Sequence, residues 1–158
     1  MSYTLTEWMQ AIQANDQIRI IDQPPPDNPL ALPNGCSEHQ HQVALLSWAR
    51  NHVDRYPALA LLHAIPNGGQ RGKAQAARLK AEGVLSGVPD LFLPAARRGF
   101  HGLYIELKVG SNKPSAEQRR VMEQLETAGY LCRVCWSAEA ARLHMVWYLD
   151  NEEAHGNR

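Results

Sequence analysis

Two carboxylates and a lysine lie at a spacing that suits metal-assisted phosphate chemistry. Asp90 opens a short apolar run, and Glu106 and Lys108 lie two residues apart in a second run, Leu103–Val109. Residues two apart on a β-strand share a face, so Tyr104, Glu106 and Lys108 would lie on one face. A charged pair on a strand that is otherwise apolar enough to be buried costs free energy unless it has a role.

The pairing of these two runs decides whether the carboxylates meet. If Leu93 pairs with Leu103 in an antiparallel hairpin, the same register sets Asp90 opposite Glu106, with Cβ atoms about 5 Å apart. Two carboxylates that close repel, and one pKa rises unless a cation lies between them. Mg²⁺ or Mn²⁺ would be the natural occupant of such an oxygen-lined site.

Lys108 would project beside the same site, where it could orient an attacking water or neutralise charge that develops on a phosphate. The alternative is a cross-strand surface ion pair, because such spacings also occur by chance. The predicted register and the apolar character of the strand favour the functional interpretation.

Hydrophobic periodicity predicts the elements that position these residues. The predicted order is helix, strand, helix, strand, strand, helix, strand, helix, which favours an α/β fold with a mixed sheet flanked by helices. The predicted bounds are a helix from Glu38, capped by Ser37, to about Asp54; a strand Ala58–Ile65; a helix Lys73–Glu82; the strands Asp90–Leu93 and Leu103–Val109; a helix from Ser115 to about Ala128; a strand Tyr130–Trp136; and an amphipathic helix Ser137–Tyr148.

The chain of 158 residues suits one domain with an N-terminal arm. Residues 1–35 form the predicted arm, with a short helix within 4–14 and a linker at 23–35 that holds five prolines. The predicted core domain is 36–150, and the polar residues 151–158 form a disordered tail.

The net charge is zero, which argues against a simple polyanion-binding protein. However, the stretch from Asn67 to Arg120 contains ten basic residues and four acidic ones. A phosphate-backbone footprint and ordinary solvated charge both remain open. The candidate DNA-binding residues are Asn67, Gly68, Gly69, Arg71 and Lys73 around a glycine-rich turn, and Arg97 and Arg98 at the hairpin tip.

Three cysteines exclude a disulfide framework. Cys132 and Cys135 lie three apart on a predicted strand and would point to opposite faces, so core thiols are favoured over a zinc or redox site. The sequence has no signal peptide and no long apolar run. We therefore expect a cytoplasmic protein, of a bacterial or phage-infected cell, with no membrane partner.

Several motifs in order resemble the VRR-NUC family, the virus-type replication–repair nucleases of the PD-(D/E)XK superfamily. They are the run at 63–69, a helix rich in Ala, Lys and Arg, the runs at 83–91 and 102–108, Ser115–Gln118, and Gly129-Tyr130. The resemblance implies a restriction-endonuclease-like fold and divalent-metal-dependent cleavage of DNA. Stand-alone members of this size look like phage or bacterial proteins, and some act as dimers on branched DNA.

The resemblance also assigns roles to residues. Asp90, Glu106 and the backbone carbonyl of Leu107 match metal ligands for Mg²⁺ or Mn²⁺, and Lys108 matches the catalytic lysine. Glu38 matches the acidic residue of the first helix, which implies a further metal ligand and catalytic residue. Gln118 matches a position that the family favours near the active site. Since Ser115 and Gln118 also form a capping-box pattern, a purely structural role for Gln118 stays open.

The sequence thus predicts a metal-dependent endonuclease that hydrolyses DNA phosphodiester bonds, on branched or otherwise structured DNA such as Holliday junctions or flaps. A homodimer would supply two symmetric sites for the two strands of a junction. Two alternatives stay open: a non-catalytic nucleic-acid-binding module of the same fold, and a restriction-type or exonucleolytic nuclease.

Overall fold

The computed structural model describes residues 30–66 and 73–150. The helix predicted within 4–14, most of the proline-rich linker, the turn residues Asn67, Gly68, Gly69 and Arg71, and the tail 151–158 lie outside the described residues. The described elements are α1 Glu38–Asn51, a 3₁₀ helix Pro57–Leu61, β1 His63–Ala64, α2 Lys73–Ala81, β2 Leu91–Leu93, β3 Leu103–Leu107, α3 Ala116–Thr127, β4 Leu131–Cys135 and α4 Ala138–Leu149.

The strands form a mixed sheet in the order β1-β2-β3-β4. The β1–β2 and β2–β3 pairs are antiparallel, whereas β3 and β4 are parallel and are joined by α3. Leu93 pairs with Leu103, as the sequence predicted. The predicted α/β architecture is therefore confirmed for the part of the chain that the structure describes.

Helices lie on both faces of the sheet. On one face, Leu91, Leu93, Leu103 and Ile105 belong to a buried core that includes residues of α1 and α4. On the other face α3 packs on β4, where Cys132 Sγ lies 3.8 Å from the carbonyl oxygen of Met122. The inward faces of the strands thus supply the main core, and the opposite face is covered by α3 on the β4 side.

Capping residues set where the helices begin. Ser37 and Gln40 form a capping box at α1, with Ser37 Oγ accepting from the N–H of Gln40 at 3.2 Å. His41 on α1 accepts the N–H of Ala138 at 3.0 Å through Nδ1. The N-termini of α1 and α4 are therefore joined, which orients the first turn of α1.

The predicted strand Ala58–Ile65 is wrong over most of its length. Its first part belongs to the 3₁₀ helix Pro57–Leu61, and only His63 and Ala64 form a strand. Proline is well suited to a first helical turn, and the run holds no β-branched residue before Ile65, so its local preference favours a helical turn.

The last helix also differs from its prediction, because all twelve residues of α4 are buried and no polar face is exposed. Its charges are paired internally: Arg142 donates two hydrogen bonds of 2.7 Å to the carboxylate of Glu139. The same carboxylate accepts the N–H of Leu30 at 2.8 Å. The end of the segment assigned to the arm therefore contacts the core.

The cysteines Cys132 and Cys135 are buried free thiols. Burial raises the pKa of each thiol to about 12. The predicted role as core thiols is thus confirmed. No helix among the described residues has the length and apolar character needed to cross a membrane.

We predict that His144 makes the fold sensitive to acid. Burial, together with the positive charge of the nearby Arg133, lowers the pKa of His144 from 6.5 to about 3. The folded protein therefore holds the imidazole neutral, and the stability that it contributes above pH 6.5 is lost as the pH falls towards 3. Between pH 7 and pH 5 the wild type should lose roughly 2 kcal/mol more free energy of unfolding than His144→Leu. Urea unfolding at both pH values measures this, and an equal loss in the two proteins would contradict it.

Candidate active site

The site is built around the carboxylate of Glu106, whose side chain is fully buried on β3. Its Oε1 accepts hydrogen bonds of 2.5 Å from Lys108 Nζ and from Gln118 Nε2. Its Oε2 is also buried and has no hydrogen-bond partner in the part of the chain that the structure describes. Because a buried acceptor without a partner is costly, this oxygen is suited to an additional ligand.

Asp90 lies next to Glu106 at the start of β2. Its Oδ2 accepts the backbone N–H of Leu107 at 2.8 Å. The N–H and C=O of one strand residue point the same way, so the carbonyl of Leu107 is directed towards the side on which Asp90 lies. The structure therefore brings together Asp90, Glu106 and the Leu107 backbone, the three metal ligands that the sequence predicted in the hairpin.

Lys108 lies between the carboxylates of two elements. Its Nζ is 2.5 Å from Glu106 Oε1 and 4.0 Å from Glu38 Oε2 in the first turn of α1. The Lys108 side chain is 10% exposed, whereas that of Glu38 is 40% exposed. Glu38 thus lies at the open rim of the site and Lys108 in its interior.

Burial and mutual repulsion shape the protonation of the site. Burial raises the pKa of Asp90, and the charge of Glu38 adds to this. Burial likewise raises the pKa of Glu106, and the charge of Asp90 raises it further. Burial alone would lower the pKa of Lys108, but its contacts with Glu106, Glu38 and Asp90 raise it above its usual value. The Lys108 ammonium therefore stays charged. One lysine cannot balance the negative charge of the three acidic side chains around it.

Gln118 performs both of the roles that its sequence position left open. Its Oε1 accepts the N–H of Ser115 at 2.9 Å, which completes the capping box of α3. Its Nε2 at the same time donates to Glu106. The N-terminus of α3 therefore fixes the carboxylate through one amide side chain.

The turn before Asp90 is held against α3 by residues that sequence reasoning missed. Ser86 Oγ donates to Glu117 Oε1 at 2.6 Å. Gly87 has a φ of +84°, and a Cβ there would lie 3.0 Å from the Glu117 side chain and backbone. The Ser-Gly pair upstream of Pro89 was the available sequence signal, but its partner on α3 was not visible from the sequence.

The predicted DNA-binding arginines make intramolecular contacts. Arg98 donates to the carbonyls of Trp147 at 2.7 Å and Asp150 at 2.6 Å, and its guanidinium lies 4.5 Å from the Trp147 ring centroid. Arg98 therefore caps the C-terminus of α4, which leaves less of its guanidinium for DNA. The Arg97 side chain donates to the carbonyl of Ala96 and lies partly exposed. Lys73 begins α2.

The donor set fits a hard divalent cation. Within the described ranges no group of three or more His, Cys, Asp or Glu side chains is placed to hold a metal. However, the two close carboxylates, the carbonyl of Leu107 and the partnerless Glu106 Oε2 provide the oxygen ligands that Mg²⁺ and Mn²⁺ prefer. Since Mg²⁺ is usually bound by only one or two carboxylates, a pair of acidic side chains is sufficient.

A mixed sheet with two carboxylates and a lysine close together is the arrangement that the sequence motifs predicted. The VRR-NUC domain matches residues 36–139, and the chain therefore belongs to the VRR-NUC family. A solved structure described as a VRR_NUC domain protein is similar, with a TM-score of 0.64 and 27% identity, over 74% of this chain and 91% of that one. No curated protein matches the chain.

These comparisons confirm the resemblance that the motifs indicated. Membership places the chain in a nuclease family, with DNA as the implied class of substrate. The match begins at Cys36, just before the capping residue of α1, and ends within α4. It therefore includes all four acidic and basic side chains of the site.

We predict that Lys108 stabilises the metal-free fold by neutralising Glu106. Lys108→Met should lower the free energy of unfolding in EDTA by about 3 kcal/mol, because it leaves a buried carboxylate without its counter-charge. The double variant Glu106→Leu/Lys108→Met should recover at least half of that loss, since it removes both charges. Urea unfolding of the four proteins of this cycle measures the coupling. Losses that simply add would contradict it.

Proposed function

We propose that the protein is a metal-dependent endonuclease that hydrolyses DNA phosphodiester bonds. The observation that carries this proposal is the pair Asp90 and Glu106, in which a buried carboxylate oxygen lacks a partner within the described residues. A structural ion pair would have no use for that second oxygen, whereas a cation ligand would. Membership of a nuclease family agrees with this interpretation.

Asp90, Glu106 and the carbonyl of Leu107 would hold Mg²⁺ or Mn²⁺, with Glu38 at the rim of the same site. When bound, such an ion supplies Lewis-acid polarisation of the phosphate and lowers the pKa of water. The residues of the chain would supply the rest. Asp90 is oriented by the Leu107 N–H and Glu106 by Gln118, so both carboxylates are held before a substrate arrives.

Lys108 has the properties of an electrostatic catalyst. Its ammonium is charged, mostly buried and held by Glu106. A preorganised positive charge in a poorly solvated site stabilises negative charge that develops on a phosphate more effectively than the same charge in water. We assign to Lys108 the stabilisation of the phosphate in the transition state and the orientation of the attacking water. Glu38 acts through Lys108 and is a positioning residue.

We extend the proposal to branched or otherwise structured DNA, such as four-way junctions and flaps, and to a homodimer. The support for this extension is the VRR-NUC resemblance together with the symmetry argument, in which two copies would place two sites on the two strands of a junction.

A cleavage panel tests the proposal. We expect the wild type to cut at least one labelled substrate among single strand, duplex, flap, four-way junction and covalently closed circle with Mg²⁺ or Mn²⁺, and none in EDTA. Cutting of the closed circle would identify an endonuclease. Asp90→Asn should lose at least ~100-fold in rate, because each 1.4 kcal/mol of lost transition-state stabilisation costs tenfold.

The matched control is Glu123→Gln, the same type of change at an exposed position of α3. It should cut at the wild-type rate. Binding of DNA by the wild type without cutting in either metal would refute the nuclease and favour a binding module of the same fold. Cutting that persists in EDTA would refute the role of the metal.

A further inference from the structure

A row of aromatic side chains crosses the sheet beside the carboxylates. His63 pairs with Phe92, and Phe92 pairs with Tyr104, so one ring from each of β1, β2 and β3 lies at the same level of the sheet. Tyr104 in turn pairs with Cys132 of β4, the strand that Tyr130 precedes. We call His63, Phe92, Tyr104 and Tyr130 the aromatic row.

The rings of the aromatic row contact one another. The Phe92 and Tyr104 rings stack with centroids 4.2 Å apart and planes at 15°. His63 meets Phe92 edge-on at 5.7 Å, and Tyr130 meets Tyr104 edge-on at 5.5 Å. Gly102 is required beneath them, because a Cβ there would lie 2.7 Å from the Phe92 ring.

The aromatic row and the catalytic carboxylates share one face of the sheet. Asp90 is two residues from Phe92 on one chain segment, and Glu106 is two residues from Tyr104 on β3. Two residues along a strand return to the same face, at a rise of about 6–7 Å. The Phe92 and Tyr104 rings therefore lie next to the Asp90 and Glu106 carboxylates, two residues away on each chain segment.

The aromatic row is accessible to solvent. Phe92, Tyr104 and Tyr130 are half-buried, and His63 is exposed. The N–H at His63 Nδ1 donates to the carbonyl of Leu61 at 2.9 Å, so Nε2 is directed away from that bond and can take part in another. The inward-facing Leu91, Leu93 and Ile105 of the same strands, in contrast, are almost completely buried.

We propose that the aromatic row binds an unpaired nucleobase of the DNA strand next to the phosphate that is cut. This inference rests on the proposed nuclease function, since it assumes a phosphate at Asp90 and Glu106. Unpaired bases stack on aromatic side chains with little sequence preference, because every base has a π face. A base inside a duplex is covered by its neighbours and is not available for such contact.

The substrate class follows from this contact. The protein would prefer DNA that has an unpaired nucleotide adjacent to the cut, as in a flap, a gap or a junction centre, over continuous duplex. The rival explanation is that the rings only stabilise the sheet, as cross-strand aromatic pairs do. The two explanations differ in what the loss of a ring does to DNA binding.

A fluorescent base analogue, 2-aminopurine, tests the proposal in EDTA, where the proposed cleavage does not proceed. It is placed unpaired in a short gap, and in a second DNA at the same position within continuous duplex. We expect the wild type to quench the unpaired analogue and to bind the gapped DNA more tightly. Tyr104→Leu and Phe92→Leu should each weaken binding of the gapped DNA by about tenfold and binding of the duplex by less than twofold. Tyr104→Phe, which keeps the ring, should bind as the wild type does.

Thermal unfolding of each variant separates folding from binding. Variants that fold but bind gapped DNA as tightly as the wild type would overturn the inference, and so would an equal loss for gapped and duplex DNA. A wild type that fails to quench the unpaired analogue would also overturn it. Quenching by a wild type that cuts nothing would leave the aromatic row as a base-binding surface and refute only the nuclease proposal. If the wild type cuts DNA but loss of a ring does not change DNA binding, the nuclease proposal stands and the role of the aromatic row is refuted.

Discussion

The close approach of two carboxylates, fully buried Glu106 and half-buried Asp90, is the constraint on which the rest of the site depends. Glu106 lies in the interior of the sheet beside Asp90, and removing such groups from water raises their pKa values unless positive charge or hydrogen-bond donors compensate. Lys108 and Gln118 supply part of that compensation through one oxygen of Glu106. The other oxygen of Glu106 has no hydrogen-bond partner among the described residues. The site therefore has uncompensated negative charge, which a divalent cation would balance.

Each element around the site contributes one part of this arrangement. The hairpin of β2 and β3 sets the register of the carboxylates, and α1 brings Glu38 to the rim of the site. The N-terminus of α3 is the most heavily used element. Through Gln118 it holds Glu106, and through Glu117 it holds the turn that leads to Asp90. The first turn of this helix therefore contacts both the Glu106 carboxylate and the turn that precedes Asp90, which links the local stability of α3 to the geometry of the site.

The sequence was sufficient for the hairpin because local patterns determine it. The alternation of β3 and the pairing of Leu93 with Leu103 predicted that Asp90 and Glu106 would be neighbours, and the structure confirms this register. Two other features could not be predicted, for different reasons. Arg98 contacts carbonyls about fifty residues away in the chain, which no local pattern reveals. The run from Pro57 is apolar enough for a strand, but its backbone preference and its proline favour a 3₁₀ helix. The aromatic row became visible only when three strands were aligned.

Titration of Mn²⁺ into the metal-free protein at pH 7, monitored by calorimetry, shows whether Asp90 and Glu106 form a cation site, independently of any DNA or turnover. We expect saturable binding by the wild type, and binding at least about tenfold weaker in Glu106→Gln, because the amide keeps the shape of the side chain but loses its charge and one oxygen ligand. No saturable binding by the wild type, or equal affinity in the two proteins, would contradict it.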